Sequence, residues 1–148
     1  MTDAGLATHP TILDVCAAVI RRGRRYLLAQ RPHGSHMAGK WEFPGGKVHD
    51  NETWAQCIIR EMAEELALHV RNPQFLTTTV HKYPEKTIRL HFLACELDDD
   101  AEHTLHEHQD LGWFTPEEMQ ALDIAPADRE LASKLKQNSC GGSEGNHC

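Results

Sequence analysis

Apolar and polar residues fall in short blocks along the first thirty positions, and these blocks predict paired strands. The run DVCAAVIR (14–21) is apolar with little interruption, which is typical of a buried strand. A second run, YLLAQR (26–31), follows a basic turn centred on Gly23. Two short runs around a turn predict a β-hairpin, made here of Ile12–Arg21 and Arg24–Arg31.

A helix is the clearest element of the next part of the chain. Thr53 is followed three residues later by Gln56, the spacing of a capping box. Apolar residues then recur at spacings of three and four, which favours an amphipathic helix over residues 53–66 packed on a core. These apolar residues are Ala55, Ile58, Ile59, Met62, Ala63 and Leu66.

The remaining elements are short and alternate with turns and polar segments. Runs of β-branched and aromatic residues predict further strands at 41–43, 74–83, 86–96 and 111–114. The PGGK segment (44–47) predicts a turn in which bare backbone approaches a neighbour. Thr115 before Pro116 predicts a short helix with the proline in its first position, and a last helix is predicted from Pro126 to Gln137.

Composition indicates one soluble globular domain rather than a membrane or nucleic-acid-binding protein. The chain has 148 residues, 40% hydrophobic and 25% charged, with a net charge of -7. We expect a single domain over residues 12–137, a loose polar start at 1–11 and a disordered Gly/Ser-rich tail at 138–148. An acidic chain is a poor binder of polyanions. The basic RRGRR cluster is interpreted as a solvated hairpin tip rather than a nucleic-acid patch, because a single short basic cluster is a weak signal.

Five cysteines, an odd number without any CxxC pair, suggest buried free thiols and a reducing, cytoplasmic setting. No basic start followed by a long apolar stretch marks a signal peptide, and no window suits a membrane span.

Three carboxylates are spaced along one helix face. Glu61 and Glu65 are four residues apart, and Glu64 is three from Glu61. Like charges at these spacings repel one another, so a helix selected for stability alone would avoid them. Clustered oxygen ligands suit Mg²⁺ or Mn²⁺, which would also neutralise a phosphorylated ligand in an acidic protein. On spacing alone, a solvated acidic face beside Arg60 remains the alternative.

The residues around this helix resemble the Nudix box. Gly46 is followed by five residues and Glu52, and then by seven residues and Arg60-Glu61-Met62, continuing as AEELAL to residue 68. The match covers 23 residues and departs at one position, where Ala67 replaces the usual glycine. If the backbone at that position is left-handed, a residue with a Cβ destabilises the folded state by about 1 kcal/mol relative to glycine.

The resemblance implies an α/β fold, namely an α/β/α sandwich around a mixed sheet, and a metal-dependent hydrolase. Glu61, Glu64 and Glu65 would coordinate Mg²⁺, with Mn²⁺ as an alternative. Gly45 would join the metal site, and Gly46 would let the backbone approach. Glu52 and Arg60 would pair and brace the loop on the helix, completing the catalytic set.

Residues 31–48 look like the MutT branch, and the similarity extends over 12–136. The substrate would be a nucleoside triphosphate, cleaved to a monophosphate and pyrophosphate by a monomer or homodimer without nucleic acid or membrane. Glu107 would serve as metal ligand or base, against the alternative of a solvated loop acid. His103, His106 and His108 lack a complete zinc pattern and are interpreted as exposed. The implied substrate-binding residues are Arg31, His36, Phe43, Gly46, Lys47 and Asp128.

Two of these assignments have open alternatives that concern the substrate. Arg31 could contact phosphate or be a surface charge. An ionised Asp128 would accept a hydrogen bond from the amine of cytosine or adenine, whereas a protonated Asp128 would donate one to an oxidised guanine. The structural alternative is that Asp128 is a carboxylate at a helix N-terminus, where the helix dipole stabilises it. The leading hypothesis is removal of 8-oxo-dGTP, and the closest rival is a CTP, dCTP or 5-methyl-dCTP pyrophosphohydrolase. A nucleotide-binding domain without catalysis is disfavoured, because all box carboxylates are present.

Overall fold

Seven strands and three helices make up the fold of the computed structural model, which describes residues 11–98 and 110–141. The strands are β1 (Thr11–Arg22), β2 (Arg25–Gln30), β3 (Trp41–Glu42), β4 (Gly45–Lys47), β5 (Arg71–Lys82), β6 (Lys86–Glu96) and β7 (Asp110–Phe114). The helices are α1 (Trp54–Leu66), α2 (Pro116–Met119) and α3 (Pro126–Gly141).

The strands form a mixed sheet in which β1 is central. The main order is β3-β2-β1-β6-β5, with β4 also paired to β1 and β7 to β2. β1 and β6 run parallel over ten residue pairs, from Thr11 opposite Lys86 to Ile20 opposite Cys95. Every other pairing between two strands is antiparallel. This arrangement confirms the predicted mixed sheet.

Alternate side chains of β1 enter two separate cores. Cys16, Ala18 and Ile20 lie in the core beneath α1, while Ala17 and Val19 lie in the core shared with α2 and α3. Successive side chains of a strand point to opposite faces, so a strand covered on both sides is apolar throughout. The helices therefore cover both faces, which confirms the predicted α/β/α sandwich.

The predicted hairpin is present only at its tip. β1 and β2 pair at Arg21–Tyr26 and Arg22–Arg25 and then diverge, because β1 continues beside β4 and β6 whereas β2 continues beside β3 and β7. The five residues of the RRGRR cluster are all exposed, as expected of a hairpin tip.

The predicted turn at PGGK is wrong. Gly45–Lys47 form strand β4, which lies antiparallel to Val15–Ala17. A Cβ on Gly45 would overlap the carbonyl oxygen of Cys16. The glycine therefore serves the close approach of two strands rather than a reversal of the chain.

Helix α1 begins as predicted but buries a different face. The Thr53 hydroxyl accepts from the Gln56 amide, and the Gln56 side chain accepts from the Thr53 amide, completing the capping box. Ile59 and Ala63, both predicted to be buried, are exposed. The buried residues are Cys57, Ile58, Glu61, Met62 and Leu66. The face is rotated because Cys57 and Glu61 pack against β4.

Two other elements extend at least three residues beyond their predicted bounds. β5 begins at Arg71 rather than Gln74, and α3 extends past Gln137 to Gly141. Residues 99–109 and 142–148 fall outside the described residues, as do the first ten. Cys16, Cys57 and Cys95 are buried free thiols, as predicted. No helix among the described residues has the length and apolar character needed to cross a membrane.

Candidate active site

Arg60 joins two carboxylates of α1, Glu61 and Glu64, to Glu52 in the loop that precedes the helix. Its Nε and Nη2 donate to the two carboxylate oxygens of Glu52 at 2.6 and 3.0 Å. Its Nη1 donates to Glu61 at 2.9 Å and to Glu64 at 3.2 Å. A further bond, from Nη2 to the carbonyl oxygen of Lys47, measures 3.0 Å. The predicted brace between Glu52 and Arg60 is therefore present, and the same guanidinium also holds the end of β4.

The electrostatics of this cluster follow from that geometry. The bidentate contact with Arg60 lowers the pKa of Glu52 to about 2, helped by the amide of His49, which donates to the same carboxylate. The pKa of Arg60 is raised, chiefly by the hydrogen bond to Glu52. Both groups therefore remain charged over a wide pH range.

Glu61 is a buried carboxylate directly beneath Gly46. Its exposed fraction is 9%, and a Cβ on Gly46 would overlap its carboxyl group. Burial raises the pKa of Glu61, while the hydrogen bond from Arg60 opposes that rise. Only glycine at position 46 leaves room for a carboxylate between helix and strand, which is the physical reason for the motif's glycine.

The carboxylates of α1 could hold a divalent cation that completes its shell with water and phosphate oxygens. Glu64 has a side chain 60% exposed, and Glu65 is half-buried one residue further along. Within the residues that the structure describes, no three His, Cys, Asp or Glu side chains converge as a preformed cage. Mg²⁺ normally takes only one or two carboxylates and completes its shell with water and phosphate oxygens. Oxygen donors on successive turns, one of them buried, suit such an ion.

A cavity of about 240 Å³ lies between β1, β4, β6 and the start of α3. Gly45 lines this cavity, and so do all of the residues predicted to bind substrate, namely Arg31, His36, Phe43, Gly46, Lys47 and Asp128. The structure therefore brings together residues that are as far apart in the sequence as 31 and 128.

Asp128 stands in the wall of this cavity near the start of α3. It is 3% exposed, and its Oδ2 accepts a hydrogen bond of 3.0 Å from the Phe43 amide. Its own amide donates to the carbonyl oxygen of Ala125. Burial first, and then the nearby charge of Glu42, raise the pKa of Asp128 well above its usual value. A buried acid of this kind favours its protonated form.

Glu42 is a cavity residue that sequence reasoning missed. Its carboxylate lies 3.2 Å from Nη1 of Arg31. Burial raises the pKa of Glu42, while Arg31 opposes the rise. A charged residue inside the apolar WEF strand was the signal that could have identified it, because buried carboxylates are rare without a partner or a role.

Arg31 lies at the same end of the cavity as Asp128 and Glu42. Besides its contact with Glu42, its Nε donates to the carbonyl oxygen of His36 at 2.7 Å. The His36 ring meets the ring of Tyr83 edge-on, with centroids 5.3 Å apart. Tyr83, a second lining residue that sequence reasoning missed, lies in the turn between β5 and β6.

The remaining predictions concern residues 103–108 and Ala67. Glu107 and the histidines at 103, 106 and 108 lie outside the described residues. Ala67 adopts φ 57° and ψ 33°, the left-handed conformation that its replacement of the usual glycine implied.

Comparison with known proteins adds independent findings. The model of the family described as "NUDIX domain" matches residues 10–135. The chain is 40% identical to the CTP pyrophosphohydrolase of Escherichia coli K12 over 81% of this chain and 88% of that protein. It is 44% identical to the 8-oxo-dGTP diphosphatase of Proteus vulgaris over 54% of this chain and 72% of that protein. The solution structure of the E. coli ORF135 protein superposes with a TM-score of 0.75 at 34% identity, covering 92% of this chain and 96% of that one.

Proposed function

This chain belongs to the NUDIX domain family and is a Nudix hydrolase, and we propose that it splits nucleoside triphosphates into a nucleoside monophosphate and pyrophosphate. Nudix hydrolases act on nucleotides and generally use a divalent metal. The observation that best supports the proposal is the continuity between the carboxylate helix and the cavity. Gly46 lines the cavity and also covers the buried Glu61.

Glu61, Glu64 and Glu65 are the residues that would hold Mg²⁺, or Mn²⁺ in its place, with Gly45 and Glu107 as further proposed ligands. The ion would screen the triphosphate charge and lower the pKa of a bound water. Arg60 orients Glu61 and Glu64 by donating to both. Lys47 lines the cavity next to Gly46 and offers a cation to the phosphates. Glu107 is also the proposed general base that accepts a proton from the attacking water, a role carried over from the family resemblance.

The proposed nucleobase is an oxidised guanine, because Asp128 and Glu42 both line the cavity and burial favours the protonated form of Asp128. With Oδ2 accepting from the Phe43 amide, a protonated Asp128 can donate through its other oxygen, while Glu42, beside Arg31, remains an acceptor. Guanine presents two acceptors, O6 and N7, on the edge that faces the major groove in DNA. The 8-oxo form carries a hydrogen on N7, so it presents one acceptor and one donor, which is the complement of the pair.

Cytosine nucleotides form the second candidate class. Similarity to a protein named CTP pyrophosphohydrolase favours it, and cytosine also presents a donor and an acceptor side by side. Here an ionised Asp128 would accept from the exocyclic amine.

The test of the proposed reaction is product analysis by anion-exchange chromatography with dGTP, 8-oxo-dGTP and CTP. We expect a monophosphate and pyrophosphate, with turnover abolished by EDTA and lowered at least about 100-fold by Glu64→Gln. Glu130→Gln is the matched control, since Glu130 is an exposed helix carboxylate that pairs with Lys134. Release of a diphosphate and orthophosphate, or full activity of Glu64→Gln, would contradict the proposal.

A further inference from the structure

Two buried thiols lie against each other beside the carboxylate helix. Cys16, on β1, is the register partner of Gly46 on β4. The Sγ atom of Cys57, in the first turn of α1, lies 3.7 Å from the carbonyl oxygen of the same Gly46 and 3.5 Å from that of Lys47. Both thiols belong to the core beneath α1, and they hydrogen bond to each other. We call Cys16 and Cys57 the dithiol pair.

The surroundings of Cys57 favour its reaction with an oxidant. Nη2 of Arg60 donates to the Cys57 Sγ at 3.8 Å, which favours negative charge on the sulfur. The hydrogen bond with Cys16 has the largest effect on the pKa of Cys57 and lowers it. The thiolate is the form of cysteine that attacks oxidants, and a second cysteine beside it converts the first product into a disulfide.

The substrate cavity gives a small oxidant its route to the dithiol pair. Cys16 and Cys57 are both 0% exposed, so neither thiol meets solvent in the closed structure. Cys16 nevertheless belongs to the wall of the cavity of about 240 Å³, next to Gly46 and Lys47. A molecule hardly larger than water therefore needs a local opening of that wall, rather than unfolding of the domain, to reach the sulfurs.

Cys95 is a matched control for burial within the same core. It lies opposite Ile20 on β6 and packs in the core beneath α1. Its exposed fraction is 8%, and its Sγ donates to the carbonyl oxygen of Leu93 at 3.6 Å. Burial raises the pKa of Cys95 to about 12. If exposure alone governed oxidation, Cys95 would react before the dithiol pair.

We propose that the dithiol pair is a modification site, at which hydrogen peroxide forms a Cys16–Cys57 disulfide that slows hydrolysis. The Cys57 sulfur attacks the peroxide, the O–O bond breaks, and Cys57 becomes a sulfenic acid while one oxygen leaves as water. The Cys16 sulfur then displaces the sulfenic oxygen as a second water and closes the S–S bond. Two thiols and one peroxide give one disulfide and two waters, so both sulfurs are oxidised and both peroxide oxygens are reduced.

The disulfide should disturb the carboxylate helix. An S–S bond of about 2 Å is much shorter than the contact between two thiols, so it draws the first turn of α1 towards β1. Glu61 lies one turn further along α1, directly beneath Gly46, where no space is left for a shift. A displacement of about 1 Å in such a group can lower turnover about 100-fold. This consequence rests on the proposed function, whereas the disulfide itself does not.

The test uses the full chain with Cys140→Ser and Cys148→Ser, which leaves the dithiol pair and Cys95. The protein is treated with hydrogen peroxide, the remaining thiols are alkylated after denaturation, and the disulfide is mapped by peptide mass spectrometry. We expect the loss of two hydrogens, a link between Cys16 and Cys57, and an alkylated Cys95. The kcat for the best nucleotide substrate should fall at least about tenfold and return with dithiothreitol. In Cys57→Ser, kcat after peroxide should equal that of its own untreated form.

Three results would overturn the proposal: a dithiol pair that stays reduced, oxygen added to Cys57 without a disulfide, or a mapped disulfide with unaltered kcat. Oxidation of Cys95 ahead of the pair would do the same. If Cys57→Ser does not fold, Cys16→Ser takes its place, because it removes the other sulfur. An untreated protein that hydrolyses no nucleotide would contradict the proposed function instead, and the mapped peptides would still decide whether the disulfide forms.

Discussion

Replacing Ala67 with glycine should stabilise the protein, and the structure gives the magnitude. Ala67 ends α1 with φ 57°, and its amide donates to the carbonyl oxygen of Ala63. A left-handed conformation costs a residue with a Cβ about 1–2 kcal/mol relative to glycine. Ala67 is exposed, so its methyl group contributes little packing that would be lost.

The unfolded state reduces this gain. Glycine has more conformational freedom in the unfolded chain than alanine, which offsets about 0.4–1 kcal/mol. The net expectation for Ala67→Gly is an increase of about 0.5–1 kcal/mol in the free energy of unfolding. For a chain of this length, that corresponds to a rise in Tm of about 1–4 °C.

The assay is urea denaturation followed by circular dichroism, with Ala63→Gly as the matched control. Ala63 is an exposed alanine inside the same helix, so glycine there should destabilise the protein by about 1 kcal/mol. The slope of free energy against urea should stay the same in both variants. If Ala67→Gly lowers the midpoint as Ala63→Gly does, the left-handed strain assigned to Ala67 is refuted.

Three further predictions concern the site itself. Gly46→Ala should remove most activity, because the added Cβ displaces the carboxylate of Glu61; unaltered kcat/KM would contradict the close approach. Glu52, with its folded pKa lowered to about 2, should contribute stability that is present above its usual pKa and lost as pH falls towards 2. In Glu52→Gln, the free energy of unfolding should lack this contribution to its pH dependence between about pH 4.5 and 2. Asp128→Asn should change the ratio of kcat/KM for 8-oxo-dGTP and dGTP several-fold with the Mg²⁺ dependence unaltered, whereas an unchanged ratio would remove Asp128 from base recognition.

Local sequence patterns made the start of the carboxylate helix predictable. The capping box lies within one short segment, so the start of α1 could be deduced from the sequence, whereas the Glu52–Arg60 pair was implied by the family resemblance. The spacing of apolar residues did not reveal that Glu61 is buried, because periodicity placed Ile59 rather than Cys57 on the inner face. Packing against β4 decided that rotation.

The cavity depends on contacts between distant parts of the chain. Glu42, Tyr83 and Asp128 belong to three separate segments, which the folded chain brings together around one cavity. No local pattern encodes their proximity, so only Asp128 was identified, through the family resemblance. β4 was missed for a similar reason, since two glycines normally indicate a turn and only the partner strand makes them extended.

The most direct test of the account is the kcat/KM of the native protein, with Mg²⁺, for 8-oxo-dGTP, dGTP, CTP, dCTP and 5-methyl-dCTP. A protonated Asp128 together with an ionised Glu42 predicts that the kcat/KM for 8-oxo-dGTP exceeds that for dGTP by at least about tenfold, since one hydrogen bond that is made or mismatched contributes about 1.4 kcal/mol. Equal values for the two purine nucleotides, with the cytosine nucleotides preferred, would contradict the account and assign the pocket to cytosine.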